Sequence, residues 1–273
     1  MHGAGNDFII INNIIEKLPQ EIFPQLAKKL CSFHSSIGAD GMMIVTEPKQ
    51  GGDYAMLFYN SDGSLGEMCG NGARCIARYG YEKGLAGETQ RIESTAGLVV
   101  GKRIDKRRYQ IRLNDPSFID LNRSVSVDGK EYVCSYVELG DPCIPHAVVI
   151  MDDYDCIPRS ELAALGSALR YAKEFPKGAN VSFVKILDKQ HLQAVTFERG
   201  VEDFTLACGT GCGSIVSALT LKGLVSGKDV SVAMPGGELS VSLTMENDSI
   251  RDIYLTGPTC MVAEGEILDE DLF

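Results

Sequence analysis

The sequence predicts an α+β protein of two pseudo-symmetric domains, each a curled, mostly antiparallel sheet around a central helix. Three observations predict it. The string Cys69-Gly70-Asn71-Gly72 returns as Cys208-Gly209-Thr210-Gly211, displaced by 139 positions (208 − 69) in a chain of 273. Other fragments recur at that displacement: Lys83-Gly84-Leu85 as Lys222-Gly223-Leu224, Phe58-Tyr59-Asn60 as Phe197-Glu198-Arg199, Phe8-Ile9-Ile10-Ile11 as Ala147-Val148-Val149-Ile150, and Gly97 as Gly236. Gly38-Ala39-Asp40 matches Gly178-Ala179-Asn180 with a slip of one. Both halves also run through short strand-like segments into the Cys-Gly-x-Gly string and then into an apolar helix, the mark of an internal duplication. The expected domains are 1–114 with a C-terminal strand over 259–273, carrying Cys69, and 115–258, carrying Cys208. The join falls in the polar stretch after Asn114-Asp115-Pro116.

The first half opens with FIIIN, MMIV and YAMLFYN, and the second with AVVIM, VSFVKIL and LQAVTFE. These β-branched runs, bounded by Gly, Asn and Asp, have strand length and composition. The first central helix is expected over Ala73–Lys83, closed by Gly84; the second carries Ile215, Val216, Ala218, Leu219 and Leu221 and closes at Gly223. Both are apolar around most of their circumference, as a helix enclosed by a sheet must be. Strands follow in RIESTAGLVVGKRI, YQIRL and VSVAMPGGELSVSLTM. A third helix, from Pro158 to about Lys173, places Leu162, Leu165 and Leu169 on one face.

Composition narrows the function. The chain has 44% apolar residues and a formal charge of −11 (26 Lys+Arg against 37 Asp+Glu), so it can build cores and repels a nucleic-acid backbone. Its apolar N-terminal run, Phe8–Ile11, is far below the ~20 residues that span a bilayer, and no membrane role is expected. Nine cysteines without Cys-x-x-Cys, alongside four His, offer no structural zinc pattern and no disulfide framework. The expectation is a cytoplasmic protein with reduced thiols, no metal and a small-molecule partner.

Two of those thiols stand apart. Cys69 and Cys208 each precede a Gly-x-Gly turn that opens a helix, where glycine permits positive φ and close approach of a ligand. A helix start offers N–H donors and partial positive charge, which lowers a thiol pKa from ~8.5 toward neutrality and binds carboxylates. Related by a pseudo-twofold axis, the two helix starts are expected to converge on one cleft with a thiol on either side. One thiolate then removes an α-proton and the opposing thiol delivers another to the other face, which inverts the stereocentre. A nucleotide loop is disfavoured, because GTGCGS has the wrong glycine spacing and no Walker lysine follows.

The strings HGAGNDFIIIN, IGADGMMIV, FYNSDGSLGEMCGNGARCIARY, GANVSFV, ERGVEDFTLACGTGCGS, MPGGELSV and LTGP closely resemble the diaminopimelate epimerase family over nearly the whole chain. The resemblance implies a cofactor-free isomerase that interconverts LL- and meso-2,6-diaminopimelate for lysine and peptidoglycan synthesis, usually as a homodimer. By that resemblance Cys208 is the proton acceptor and Cys69 the donor for the LL substrate. Gly70-Asn71 and Gly209-Thr210 bind the reacting carboxylate, and Asn6 contacts the reacting end. Asn60, Asn180 and Arg199, with Glu198 beside them, hold the distal end, while His146 and Glu198 tune the thiols. The chain departs from the family at Ile144, where members often have Asn, and at Gly41, where some have Gln. Members usually carry a few residues ahead of MHGAGND, so the expectation is that either a first edge strand is missing or the start codon is misplaced. Two other readings remain open on the residues alone. One is a racemase of another amino acid, such as histidine, suggested by Ile144; the other is a non-catalytic redox-sensing module that binds a small molecule.

Overall fold

The computed structural model describes residues 1–66 and 69–268. The chain divides into two compact units: residues 1–111 together with the segment from Gly257 onward, and Arg112–Thr256.

In the first unit the elements are β1 (His2–Gly3), β2 (Asn6–Asn12), α1 (Asn13–Glu16), α2 (Phe23–Leu30), β3 (Gly41–Thr46), β4 (Tyr54–Asn60), β5 (Leu65–Gly66), α3 (Gly70–Glu82), β6 (Thr89–Ser94), β7 (Gly97–Arg103) and β8 (Arg108–Arg112). The strands lie in the order β1-β2-β3-β4-β6-β7-β8, with β5 on β4. Pairing is antiparallel except at β2/β3 and β4/β6. The α3 helix packs on β1, β2 and β7, and α2 packs on β3 and β4. Phe23, Leu26, Ala27 and Leu30 of α2 form a core with Met42, Ile44 and Tyr59. The edge of this sheet is β1, whose His2 also bridges Cys260.

The second unit contains β9 (Pro116–Val127), β10 (Lys130–Leu139), β11 (Ile144–Ile150), α4 (Arg159–Arg170), β12 (Asn180–Ile186), β13 (His191–Phe197), α5 (Gly209–Leu221), β14 (Val230–Met234), β15 (Gly237–Glu246) and β16 (Ser249–Pro258). These strands run in sequence order, antiparallel except at β11/β12 and β13/β14, the same pattern as in the first unit. The α5 helix packs on β9, β10, β11, β12 and β15, and α4 covers the other face at β12 and β13. From Gly211 to Thr220 every α5 residue is buried, which explains the lack of a polar face in its sequence. Both central helices stop as expected, with Gly84 (φ 68°) and Gly223 (φ 70°) in the left-handed conformation just past the last turn.

Three expectations change. The polar stretch after Pro116 is the twelve-residue strand β9: from Asn122 on its exposed residues alternate, as in a strand with one wet face. The C-terminal strand expected over 259–273 is absent from 259–268 apart from the Cys260 bridge, and 269–273 lie outside the described residues. The repeat also drifts. Ile9, Met42 and Tyr59 pack against α2 as Ala147, Val181 and Phe197 pack in the α4 core, so Phe8 corresponds to His146 and Asn60 to Glu198. The hairpins closed by Ser94/Gly97 and Met234/Gly237 make Gly97 equivalent to Gly237, not Gly236. Loops absorb these slips, while the central helices, from Cys69/Cys208 to Gly84/Gly223, and the Met42/Val181 pair keep the displacement of 139.

Candidate active site

Cys69 is the N-cap of α3, in extended backbone (φ −109°, ψ 123°). The helical ladder starts with the Ala73 N–H on the Cys69 carbonyl (2.8 Å), so the N–H groups ahead of it point off the helix end. Buried side chains hold the helix in place. Tyr54 donates its hydroxyl to the Ile76 carbonyl (3.0 Å) and to Gln90 Oε1 (2.7 Å), while Gln90 Nε2 donates to the Ala77 carbonyl (2.7 Å).

The Cys69 thiol donates to Asn6 Oδ1 at 3.3 Å, and Asn6 Nδ2 donates in turn to Asp40 Oδ2 at 2.5 Å. Asp40 Oδ2 also accepts the Asp7 N–H, and Asp7 Oδ1 accepts the Asp40 N–H, each at 3.0 Å. This reciprocal clasp ties β2 to the approach to β3 and fixes the carboxamide that meets the thiol. Burial, with the neighbouring Asp40 charge, raises the Asp7 carboxyl above its usual range. Asn60 stands apart from this chain of contacts; it ends β4, opposite Gly41, and donates to Ser64 Oγ (2.9 Å). Gly41 leaves no room for a side chain, because a Cβ there would sit 2.5 Å from the Phe58 ring.

In the second unit Cys208 is the N-cap of α5 (φ −117°, ψ 106°), and the Cys212 N–H begins the ladder on its carbonyl (3.0 Å). The thiol lies 3.7 Å from Thr210 Oγ1 and also meets Glu198, which accepts the Thr205 hydroxyl at 2.6 Å. Asn180 Oδ1 accepts the Arg199 N–H (2.8 Å), and Asn180 Nδ2 donates to the Pro145 carbonyl (3.2 Å). The exposed Arg199 guanidinium is anchored through Nη1 on the Lys177 carbonyl (2.9 Å). His146 pairs with Asn180 across β11/β12 and is completely buried; neither ring nitrogen has a partner among the described residues. Burial, aided by the Arg199 cation, pulls its imidazole down to about 3, so the ring stays neutral.

The electrostatics of Cys208 reverse an expectation. Burial and then the Glu198 charge push this thiol well above the usual range, although Thr210 and the Gly211 N–H oppose the shift. Desolvation of the thiolate is the largest of these effects. Burial likewise raises Glu198, against its hydrogen bonds from Thr205 and Cys208. The turn glycines also serve differently than expected, since none of Gly70, Gly72, Gly209 and Gly211 has positive φ. Gly211 is needed for space: a Cβ there would stand 3.2 Å from both the Cys208 sulfur and Thr196 Oγ1. All nine cysteines are free.

The structure thus groups Asn6, Cys69, Gly70 and Asn71 in one unit, and Asn180, Glu198, Arg199, Cys208, Gly209 and Thr210 with His146 in the other. Sequence reasoning missed Asp7, Asp40 and Thr205, which orient the residues it named. The first two were legible as acids beside the Gly-rich strings AGND and GADG.

The model of the diaminopimelate epimerase family matches residues 1–117 and 141–262. The diaminopimelate epimerase of Aquifex aeolicus is 36% identical over 282 residues, covering 100% of this chain and 98% of the relative. That of Hydrogenobaculum sp. is also 36% identical, over 280 residues, covering 99% and 98%. Among solved structures, a phenazine biosynthesis protein of the PhzF family from Bacillus anthracis has a TM-score of 0.71 at 17% identity, covering 98% of this chain and 95% of its own. A probable proline racemase from Agrobacterium radiobacter also has a TM-score of 0.71, at 16% identity, covering 99% and 92%. These two likenesses bear on the fold, which is the duplicated sheet-around-helix architecture. With the family model matched across both units and the relatives aligned from end to end, the chain belongs to the diaminopimelate epimerase family.

Proposed function

We propose that this protein interconverts LL- and meso-2,6-diaminopimelate without pyridoxal phosphate, by passing a proton through two thiols. One observation carries the reading: a reduced cysteine stands at the N-cap of the buried central helix in both units. For the LL substrate, Cys208 as thiolate takes the α-hydrogen and Cys69 gives its proton to the opposite face; for meso the roles exchange. A thiol can both give and take a proton, and the Cys208 thiolate, disfavoured by burial and by Glu198, is the stronger base once formed. Glu198, in hydrogen-bond contact with Cys208 and itself raised by burial, is placed to accept the thiol proton as the thiolate forms.

The leading N–H groups at Gly70-Asn71 and Gly209-Thr210 bind the reacting carboxylate and stabilise the charge that collects on it as the α-carbon flattens. Asn6, locked through Asp40, orients the Cys69 thiol toward the reacting end. Arg199 takes the distal carboxylate through its planar donor fork, with Asn180 fixing its backbone and Asn60 and Glu198 completing the distal hold. His146, kept neutral, fills the floor beside Asn180 without adding a cation that would pin the thiolate. The free cysteines fit a reducing cytoplasm, and the working form is a homodimer, which light scattering tests.

The reading is tested with reduced protein, LL-diaminopimelate and no pyridoxal phosphate. Meso product is expected, and either Cys69→Ala or Cys208→Ala abolishes its formation. Undiminished inversion by either variant, or faster turnover of a monocarboxylic amino acid such as histidine, contradicts it.

A further inference from the structure

Just past its first turn, α3 carries a group that α5 lacks. Arg74 is completely buried (0% exposed), among the largest side chains so enclosed. Its Nη2 donates to Asn71 Oδ1 at 2.7 Å and its Nη1 to the Gly70 carbonyl at 3.2 Å. At the equivalent place α5 has Gly213, where a Cβ would lie 2.8 Å from Leu113 Cδ1. The duplication therefore repeats the thiol and the turn without the guanidinium.

Asn71 explains what the guanidinium is for. A carboxamide in the first turn of a helix is a strong local acceptor that readily folds back onto the leading N–H groups. Those are the groups assigned above to the substrate carboxylate. Asn71 is only 2% exposed, with its oxygen turned inward to Arg74. A planar fork of donors can hold that oxygen and the Gly70 carbonyl at a fixed spacing, which a single ammonium cannot.

We infer that Arg74 is a positioning residue for the reaction: by retaining Asn71 Oδ1 and the Gly70 carbonyl inside the turn, it keeps the leading N–H groups of α3 aimed at the carboxylate. The inference rests on the two-thiol reading.

The test compares Arg74→Met, Arg74→Lys and each combined with Asn71→Ala, by steady-state epimerisation of LL-diaminopimelate and by thermal unfolding. Arg74→Met is expected to raise KM about tenfold or more, the scale of one charge-assisted hydrogen bond, with a smaller change in kcat. Arg74→Lys falls between it and the parent. Deleting the competing oxygen in the Asn71→Ala double variants brings KM back toward the parent, a rescue that a merely structural arginine would not show. If Arg74→Met does not fold, Arg74→Lys with and without Asn71→Ala decides. A KM unmoved by either Arg74 substitution, or unrelieved by Asn71→Ala, overturns the inference. An inactive parent protein would instead overturn the functional reading.

Discussion

Replacing Glu198 by Gln separates the two effects that this carboxylate exerts on Cys208. The carboxylate faces a buried thiol and, with burial, pushes its ionisation up. Two unit charges about 4 Å apart interact by about 4 kcal/mol at an effective dielectric near 20. Glu198 keeps part of its surface in water, which cuts that figure, yet removal of the charge still takes an unfavourable neighbour away from the thiolate. The sign is downward, because the thiolate no longer meets a neighbouring anion. The assay is the pH dependence of Cys208 alkylation by iodoacetamide in a Cys69→Ala background, read by peptide mass spectrometry so that the other thiols do not interfere. The midpoint is expected to fall. In the protein with both thiols intact, kcat should nevertheless drop, because Gln cannot accept the thiol proton. A midpoint that stays put or rises would refute the electrostatic argument, and an unchanged kcat would refute the proton-accepting role.

Two further predictions concern the scaffold. Tyr54→Phe strips a donor from the buried Ile76 carbonyl and Gln90, and should destabilise the protein by about 1–3 kcal/mol in urea unfolding; an unchanged midpoint contradicts this. His146 titrates at about 3 in the folded chain against 6.5 free, so between those values the unfolded chain binds a proton that the native one refuses. Its contribution is therefore intact above pH ~6.5 and is lost as pH falls toward 3. Between pH 6.5 and 5 the parent should lose about 1.5 kcal/mol more stability than His146→Met. Equal losses in the two proteins would show that the buried ring does not resist protonation.

Much of this molecule could be read from its residues. The Cys-Gly-x-Gly repeat located both helix starts, because a buried central helix tolerates almost no change of length between copies. The runs FIIIN and VSFVKIL announced strands through β-branched composition. By contrast α2 escaped notice: its amphipathic stripe is only eight residues long, with Pro24 in its first turn, too short for a periodic signal. β9 was hidden because polar residues on its wet face, Asn122, Ser124 and Ser126, together with Asp120 and Arg123, interrupt its apolar ones. At the site, the thiols and carboxylate-binding turns were legible as motifs. The Asp7–Asp40 clasp and the Arg74 grip depend on contacts across strands and within a buried turn that no spacing announces. Nor could composition show the burial that, with the Glu198 charge, raises the Cys208 thiol.

The most direct test of two-thiol transfer follows deuterium at early conversion. LL-diaminopimelate is incubated with the protein in deuterated water and stopped after a few per cent reaction. Cys208 carries away the substrate hydrogen while Cys69 delivers a solvent-derived deuteron, so the meso product should be fully labelled at the inverted carbon and recovered LL substrate unlabelled. Product that retains the original hydrogen, or label accumulating in LL substrate ahead of product, would mean a single group works both faces.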